Sequence, residues 1–275
     1  MILNWYPGHM AKSMRLIEEN LKLVDLIFYV LDARAPISSR NPQFDTLCGA
    51  KPVVYVLNKA DLADKAKTDA FVKSISSRSG RSAIALNAAA SGATAVLANE
   101  ARRLCGEKIE RYKAKGVRTS IKAMVIGVPN CGKSTLINNL AGKAKTVTGN
   151  RAGVTRGKQW VRVNDFFEVL DTPGTLYPKF TDERAAFALA FIGSIRDEVL
   201  DPHELAVRLI AVLNEISPEI LKNRYPADTP TVETLEQIGR ARGFVVKGGE
   251  IDCERAAVAL IDDFRKGRLG RITLD

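Results

Sequence analysis

Short apolar runs rich in β-branched residues alternate with amphipathic segments through the first two thirds of the chain. Runs 26–31, 53–57, 83–86 and 123–126 are continuously apolar, as buried parallel strands are. Between them, 3.6-residue periodicity predicts helices over 10–24, 64–77, 93–115 and 133–140. Runs 160–163 and 166–170, joined through Asn164-Asp165, predict a hairpin. This alternation predicts an α/β fold, a doubly wound and mostly parallel sheet with ligand loops at the carboxyl ends of its strands.

The pattern becomes wholly helical after residue 178. Helical periodicity covers 182–195, 203–215, 232–242 and 253–266, with breaks near Pro202, Pro218, Pro226 and Gly248-Gly249. We therefore predict two domains, an α/β domain over 1–178 and a small all-helical domain over 179–275.

Composition adds one unusual property, a strongly basic balance. The hydrophobic share of 46% and the charged share of 26% are ordinary for a globular protein. The net charge of +10 favours an anionic partner, first nucleic acid and second an anionic membrane surface. The alternative is that the charge only maintains solubility.

Cysteine usage and apolar run lengths bear on location. The 4 cysteines, at 48, 105, 131 and 253, form no C-x-x-C pair, which argues against a disulfide framework or a zinc site. Apolar runs such as 26–31 are too short to cross a bilayer, and the N-terminal segment does not resemble an export signal. We expect a cytoplasmic protein without membrane association.

A complete phosphate-binding loop, Gly127-Val-Pro-Asn-Cys-Gly-Lys-Ser134, stands between a predicted strand and a predicted helix. In such a loop backbone N–H groups and the helix N-terminus bind phosphate oxygens. Lys133 would reach the β- and γ-phosphates, and Ser134 would hold Mg²⁺. The predicted phosphate-binding residues of the loop are Pro129, Asn130, Cys131, Gly132, Lys133, Ser134 and Thr135. Alone, the loop indicates a nucleoside triphosphate but not its base.

A second motif, Asp171-Thr-Pro-Gly174, follows the predicted hairpin. Asp171 would bind Mg²⁺, through water, and the Gly174 amide would sense the γ-phosphate. Thr155, in Gly153-Val-Thr-Arg-Gly157, lies between the two motifs, where the metal-binding threonine of a first switch loop belongs. Its assignment rests on order and spacing alone.

The base is indicated by Asn58-Lys-Ala-Asp61, directly after the strand predicted at 53–57. The Asp61 carboxylate can accept hydrogen bonds from guanine N1–H and from the exocyclic amine, a pattern that adenine lacks. Asn58 would contact the base edge and tie the loop together, and the Lys59 stem would lie over the base. Asn87-Ala88, after the next strand, would supply a weaker backbone contact.

The order of these motifs is unusual, because the guanine signature comes first rather than last. The chain therefore has the parts of a GTPase with its halves exchanged, beginning at what is normally the fourth strand. The segment after Gly174 then leads through Leu176-Tyr-Pro-Lys179 directly into the helical domain.

Five motifs together resemble the ribosome biogenesis GTPase A, or YlqF-like, family of circularly permuted GTPases. They are Asn4-Trp-Tyr-Pro-Gly-His-Met10, Asp32-Ala-Arg34-Ala-Pro36, Asn58–Asp61, Gly127–Ser134 and Asp171–Gly174. The resemblance implies a GTP-hydrolysing factor for late maturation of the large ribosomal subunit, stimulated by that particle. It also implies GTP/GDP and Mg²⁺ as ligands and ribosomal RNA as a contact of the helical domain; we expect a monomer and no binding to DNA. The alternative is an RNA-binding assembly factor that uses GTP as a structural ligand.

Matching positions refine the expected chemistry. Thr175 follows the Asp171–Gly174 motif, where conventional GTPases carry a water-orienting Gln. Because Thr is too short for that task, the family resemblance makes His9 the candidate, with Lys133 as the other catalytic residue. His9 has two alternative roles, contacting RNA or capping a helix.

Two further features of the sequence each allow two interpretations. Asn130 resembles the asparagine of K⁺-dependent GTPases, whose side-chain oxygen helps hold K⁺ beside the phosphates; the alternative is a loop-stabilising amide. A basic run on and after the helix over 93–115 would bind RNA phosphates, or is a solvated helix face. Its members are Arg102, Arg103, Lys108, Arg111, Lys113, Lys115, Arg118 and Lys122.

Overall fold

The computed structural model describes residues 8–77, 80–117, 119–142, 159–177, 182–225 and 233–275. Its centre is one six-stranded sheet. The strands are β1 (Leu26–Asp32), β2 (Val53–Asn58), β3 (Arg81–Ala85), β4 (Ile121–Ile126), β5 (Gln159–Asn164) and β6 (Phe167–Asp171). They lie in the order β3-β2-β1-β4-β6-β5, parallel throughout except for the antiparallel pair β5–β6. The predicted fold class is confirmed.

Ten α-helices lie within the described ranges. Those packed around the sheet are α1 (Gly8–Leu21), α2 (Pro42–Cys48), α3 (Lys65–Ser76), α4 (Ala93–Lys113) and α5 (Lys133–Leu140). The helical part contains α6 (Glu183–Phe191), α7 (Pro202–Ile216), α8 (Glu219–Lys222), α9 (Thr234–Arg242) and α10 (Cys253–Arg265). Short 3₁₀ turns occupy Ala60–Leu62 and Asp197–Val199. None of these helices is long and apolar enough to cross a membrane.

The strand order shows how the permutation is accommodated. The chain runs outward from β1 through β2 to β3 and then returns to β4 beside β1. From β4 it goes on to β5 at the opposite edge and comes back through a hairpin to β6, which lies between β4 and β5. The order reverses between β1 and β4, and open α/β sheets bind ligands at such a reversal, beyond the carboxyl ends of the strands. The exchanged order of motifs is therefore accommodated within one continuous sheet.

Alternate strand residues face two separate cores. Phe28, Val54 and Val125 belong to the core that α4 and α5 cover, whereas Tyr29 and Tyr55 belong to the core under α1 and α2. Because both faces are buried, every residue of β1 and β2 is buried. This explains why these strands are continuously apolar in the sequence.

The C-terminal helices extend one of these cores. Buried residues of α6, α7, α9 and α10, such as Phe191 and Leu260, belong to the same apolar cluster as Phe28 and Val125.

Buried Asp263 joins helices α8, α9 and α10. Its carboxylate accepts a hydrogen bond from the Tyr225 hydroxyl (2.7 Å) and pairs with Arg224, Arg242 and Arg268. The division at residue 178 stays a prediction, since the described helices share a core with the sheet.

Three helices differ from the sequence prediction, and one of them is the four-residue α8, which directly follows the break predicted near Pro218. The helix α2 was not predicted, although Asn41 caps it by accepting from Gln43 N–H (3.0 Å) and a proline stands at its first position. The predicted helix over 182–195 ends at Phe191, because Gly193 takes a left-handed conformation with φ of +78°. A seven-residue helix carries little periodicity, and glycine-terminated ends are local events that periodicity does not register.

Candidate nucleotide-binding site

Predicted site residues at the ends of several strands lie at one edge of the sheet, and Asp32 of the family motif lies beside them. Asp32 and Asn58 end β1 and β2 in register with each other, and Asp171 ends β6 in register with Val125 of β4. The phosphate loop follows β4 directly. The parallel arrangement therefore brings the guanine motif, the phosphate loop and the metal motif together, as the sequence predicts.

Glycines in the phosphate loop are required by close contacts. Gly132 has φ of +99°, and a Cβ there would lie 2.0 Å from Asn58 Nδ2. Gly127 has φ of +152°, and a Cβ there would lie 2.3 Å from the Val30 carbonyl oxygen. Any side chain at these positions would displace β1 or the guanine motif. The loop can therefore present its backbone N–H groups only because these two residues lack a side chain.

Lys133 and Ser134 open α5, immediately after the loop. The Lys133 ammonium group is nearly buried and donates to the Val128 carbonyl oxygen at 2.7 Å, so it lies inside the curve of the loop. Thr135 follows on the same turn of the helix. Anions bind well at this position, since the first backbone N–H groups of a helix have no partner within it.

Asp171 is a buried carboxylate without a neutralising contact. Its side chain is 1% exposed, and neither carboxylate oxygen has a hydrogen-bond partner in the described structure. Burial raises the pKa of Asp171 to about 6, although the Lys133 charge opposes that rise. Two unpartnered oxygens at the end of β6, which contacts the helix α5 that carries Ser134, are donors of the kind that Mg²⁺ prefers. The residues present therefore fit a magnesium ion.

Gly174 and Thr175 close the phosphate side of the site. A Cβ on Gly174 would lie 2.8 Å from both Lys133 Nζ and Pro129 Cα, so this backbone passes directly against the loop. Thr175 is fully buried, and its N–H donates to the Gly127 carbonyl oxygen at 3.3 Å. Its hydroxyl is enclosed rather than presented to solvent, which agrees with the expectation that Thr175 does not replace the conventional Gln.

Asn58 ties three loops together. Its Nδ2 donates to the Cys131 carbonyl oxygen at 2.8 Å, and its Oδ1 accepts from the Ala88 N–H at 2.8 Å. From the other side, Asn139 of α5 donates to the Ala88 carbonyl oxygen at 2.8 Å. Asn58 thus has the loop-tying role that the sequence predicts. Asn139 was not predicted, because nothing in its helical context marks it.

Lys59 takes part in a buried ionic cluster. Its ammonium group donates to Asp32 Oδ2 (2.8 Å) and to the Asn130 carbonyl oxygen (2.9 Å). Arg34 is 2% exposed and donates to both oxygens of the same carboxylate, from Nε to Oδ1 (2.9 Å) and from Nη2 to Oδ2 (2.8 Å). Burial alone would raise the pKa of Asp32, but Lys59 and Arg34 outweigh it and hold that pKa far below its usual range. Asp32, Arg34 and Lys59 form the Asp32 cluster.

The remaining guanine-motif residues are more exposed. Asp61 is solvent-exposed on the 3₁₀ turn Ala60–Leu62, and Asn87 is half-buried with its Oδ1 accepting from Ala89 N–H at 2.9 Å.

The side chains of two predicted residues fall outside the described structure. Thr155 lies in the undescribed range 143–158, and His9 belongs to the first turn of α1 while its side chain is not described.

The structure adds a contact that joins the phosphate loop to the helical part. Asn130 has a left-handed φ of +57°, and its Nδ2 donates to the Gly193 carbonyl oxygen at 2.7 Å. Buried Ser194 donates its hydroxyl to the Pro129 carbonyl oxygen, also at 2.7 Å. Neither Gly193 nor Ser194 was predicted, since they are 63 and 65 residues from their partners. Only their place directly after a helix could have marked them.

Much of the predicted basic run has partners within the protein. Arg102 lies 4.0 Å from the centre of the Phe166 ring, Arg103 pairs with Glu100, and Lys108 pairs with Asp25. Lys122 lies over Trp160, and Arg118 is not described. Arg111, Lys113 and Lys115, at and just after the end of α4, are exposed, and Arg111 lies 5.8 Å from the centre of the Tyr112 ring.

No group of three or more His, Cys, Asp or Glu side chains that could hold a metal ion occurs among the described residues. A transition-metal centre made of such a group is therefore not found in that part of the chain. The magnesium fit at Asp171 and Ser134 is of another kind, because Mg²⁺ usually takes one or two protein ligands together with phosphates and water.

Comparisons with known proteins agree with this site. A family model described as 50S ribosome-binding GTPase matches residues 122–238. The ribosome biogenesis GTPase A of Bacillus cereus is 41% identical over 100% of this chain and 94% of its own length. A Thermotoga maritima relative of the same name is 30% identical, over 99% of this chain and 94% of its own length. A solved GDP-bound YlqF structure, 29% identical, covers 95% of this chain and 98% of its own, with a TM-score of 0.68.

The likeness spans the whole chain rather than the phosphate loop alone, and it includes the exchanged order of motifs. This chain therefore belongs to the ribosome biogenesis GTPase A (YlqF-like) family of circularly permuted GTPases, and it is a GTPase.

Proposed function

We propose that this GTPase acts in ribosome biogenesis, on the large ribosomal subunit late in its maturation, and that the particle stimulates hydrolysis. The names of its relatives and the 50S ribosome in the description of the matching family model support the partner. The net charge of +10 suits contact with ribosomal RNA. The observation that carries the proposal is the direct contact between the phosphate loop and the helical part at Gly193 and Ser194.

In this proposal the residues divide by nucleotide group. Asp61 reads the guanine edge, assisted by Asn58, Lys59, Asn87 and Ala88. The backbone of residues 129–135 and the Gly174 amide bind the phosphates, and Lys133 neutralises the β- and γ-phosphates. Ser134, Thr155 and Asp171 hold Mg²⁺, which when bound offsets charge that develops on the phosphate oxygens. GTP and GDP are the ligands, and the domain over 179–275 contacts ribosomal RNA.

Hydrolysis needs a group that orients water, and we assign this to His9. Thr175 is enclosed and its N–H is bonded to Gly127, so it does not present a side chain for that task. The assignment predicts that His9→Ala lowers particle-stimulated hydrolysis and leaves GTP affinity unchanged. Equal loss of both would indicate a folding or binding role instead.

Potassium dependence is a second element of the proposal. Gly193 holds the amide nitrogen of Asn130, which fixes the plane of that side chain beside the loop. Its oxygen is then the atom that would contact K⁺ next to the phosphates. Replacing K⁺ by Na⁺ at equal ionic strength should slow turnover markedly, whereas equal rates would reduce Asn130 to a loop-stabilising amide.

The primary test measures GTP hydrolysis in K⁺ buffer alone, with purified large ribosomal subunits, and with small subunits as the control. Stimulation by the large subunit alone is the expected result, from an unaided rate on the order of 10⁻⁴ to 10⁻² s⁻¹. The buried Thr175 favours a second candidate, an RNA-binding assembly factor for which GTP is a structural ligand. Tight GTP binding without stimulation by either subunit, together with assembly supported by His9→Ala, would select that candidate.

We further propose a monomer located in the cytoplasm that binds neither DNA nor membranes. The exposed basic residues Arg111, Lys113 and Lys115, at and just after the end of α4, are available to RNA phosphates. If they bind RNA, affinity should fall steeply with added salt. A salt-independent affinity would leave them as a solvated helix face.

A further inference from the structure

The end of the described chain runs along the back of the guanine motif. Residues 272–274 follow α10 and form a short segment that we call the tail. Ile272 N–H donates to the Leu62 carbonyl oxygen at 3.0 Å, one residue beyond Asp61. Leu274 N–H donates to the Arg34 carbonyl oxygen at 2.7 Å. The tail therefore lies between the guanine motif and the loop that carries the Asp32 cluster.

Thr273 makes the central contact of the tail. Its hydroxyl is buried, with the residue 1% exposed, and accepts from Asp64 N–H at 3.1 Å. The same hydroxyl donates to the Ala33 carbonyl oxygen at 3.3 Å. From outside, the Lys67 ammonium group holds the Thr273 carbonyl oxygen at 3.1 Å. One hydroxyl thus joins the end of the guanine loop to the end of β1.

The guanine loop depends on such an external support. Lys59 has a left-handed φ of +58°, which is uncommon for a residue with a side chain. The turn that follows is a three-residue 3₁₀ helix, a conformation with weak hydrogen bonds of its own. Asn58 and Lys59 fasten the front of the loop to the phosphate loop. Behind Asp61, the bonds to Ile272 and Thr273 fasten it to the tail.

Close packing reinforces these bonds. Gly267, at the turn after α10, has φ of +69°, and a Cβ there would lie 2.6 Å from Leu62 Cδ2. The end of α10 therefore lies directly against the residue next to Asp61. The backbone next to Asp61 is consequently held from the helical part as well as from the sheet.

We propose that Thr273 is a positioning residue for guanine recognition, holding Leu62–Asp64 so that the Asp61 carboxylate meets both N–H donors of the base. This inference rests on the proposed role of Asp61. Two bonds from one carboxylate to N1–H and to the 2-amino group demand a fixed carboxylate plane. A loop released at Asp64 keeps its phosphate contacts but loses that alignment.

The test compares affinities for GDP and IDP, because IDP has the same phosphates and sugar and lacks only the 2-amino group. In the wild type, GDP should bind about 10- to 100-fold more tightly, the range for one hydrogen bond to a charged group. Thr273→Val keeps the shape of the side chain and removes the hydroxyl. We expect it to lower the GDP/IDP affinity ratio about fivefold or more, with IDP affinity nearly unchanged. Competition against a fluorescent GDP analogue measures both affinities.

Three variants complete the design. Thr273→Ser keeps the hydroxyl and should restore the wild-type ratio. Thr68→Val is the matched control, because Thr68 is also buried and its hydroxyl bonds the other side of Asp64, the carbonyl oxygen, at 2.7 Å. Lys67→Met changes an exposed residue and only loosens the tail, so it should lower the ratio about twofold even if Thr273→Val folds poorly.

The outcomes separate a positioning role from a structural one. An equal loss of GDP and IDP affinity in Thr273→Val, or an unchanged ratio in both Thr273→Val and Lys67→Met, would overturn the inference. Asp61→Asn tests the assignment beneath it, because an amide cannot accept both guanine donors. If Asp61→Asn keeps the wild-type ratio, the assignment of Asp61 is wrong and the inference falls with it. If Asp61→Asn lowers the GDP/IDP affinity ratio and the tail variants keep the wild-type ratio, only the role of Thr273 is wrong.

Discussion

Two aspartates at the same edge of the sheet, Asp32 and Asp171, are equally buried and electrostatically opposite. Asp32 is 0% exposed and is held by Arg34 and Lys59, so its pKa lies far below the usual range. Asp171 is 1% exposed and has no hydrogen-bond partner in the described structure, so burial raises its pKa to about 6. The difference indicates that Asp32 is a structural anchor whose charge is already neutralised. Asp171 is a candidate metal ligand, since its buried carboxylate has no paired cation among the described residues.

The largest expected effect is on stability at Asp32. Asp32→Asn leaves Arg34 buried without its counter-charge, and breaking a buried ion pair from one side costs about 3–5 kcal/mol. We expect that loss in the free energy of unfolding, measured by denaturant titration without nucleotide. A loss below about 1 kcal/mol would show that water replaces the pair and that the anchor role is wrong.

The same substitution at Asp171 should act on catalysis instead. Asp171→Asn removes the charge that would hold Mg²⁺, so we expect hydrolysis to fall about a hundredfold or more. Stability without nucleotide should stay equal or rise by about 1 kcal/mol, because a neutral amide is cheaper to bury than an unpaired carboxylate. Asp165→Asn on the exposed hairpin turn is the matched control and should change neither quantity. A stability loss like that of Asp32→Asn would abolish the contrast.

The two carboxylates should also give opposite pH slopes. Asp171 binds a proton more tightly in the folded state, so its contribution to stability is present below pH 4 and lost as pH rises through about 6. Asp32 binds a proton less tightly when folded, so its contribution is present above about pH 4 and lost as pH falls below it. Thermal unfolding from pH 3 to 8, without Mg²⁺ or nucleotide, should show the first slope vanish in Asp171→Asn. The second should vanish in Asp32→Asn.

The smallest expected effect comes from Arg34→Lys, which tests what is needed to neutralise the Asp32 carboxylate. Arg34→Lys keeps one positive charge but loses the two-pronged grip and the bond from Nη1 to the Arg265 carbonyl oxygen. We expect a loss of about 1–2 kcal/mol in the free energy of unfolding and no change in hydrolysis per folded molecule. Unchanged stability would show that charge alone, supplied by Lys59, is sufficient.

Most of the sheet and the phosphate end of the site could be predicted from sequence because they are local. The phosphate loop is one contiguous strand, turn and helix, and α5 has the predicted bounds Lys133–Leu140. Continuous apolar runs identified β1 and β2 because both faces of these strands are buried. The motif order predicted the exchanged halves. What the sequence missed locally were α2 and α8, which are too short to show periodicity, and the early end of α6 at a left-handed glycine.

The sequence by itself determined which residue types lie together at the candidate nucleotide site, since strand ends and motif spacing place Asn58, Lys133 and Asp171 at one edge of the sheet. Only the tertiary structure decided how those residues are held. Thr273 bonds Ala33 across 240 residues, and Arg34 bonds Arg265 across 231. Local sequence patterns do not predict such long-range contacts. They do not predict the desolvation of a side chain either, so two aspartates that each follow an apolar run look alike in the sequence. Burial beside two paired cations made Asp32 an anchor, and burial without a paired cation made Asp171 a candidate metal ligand.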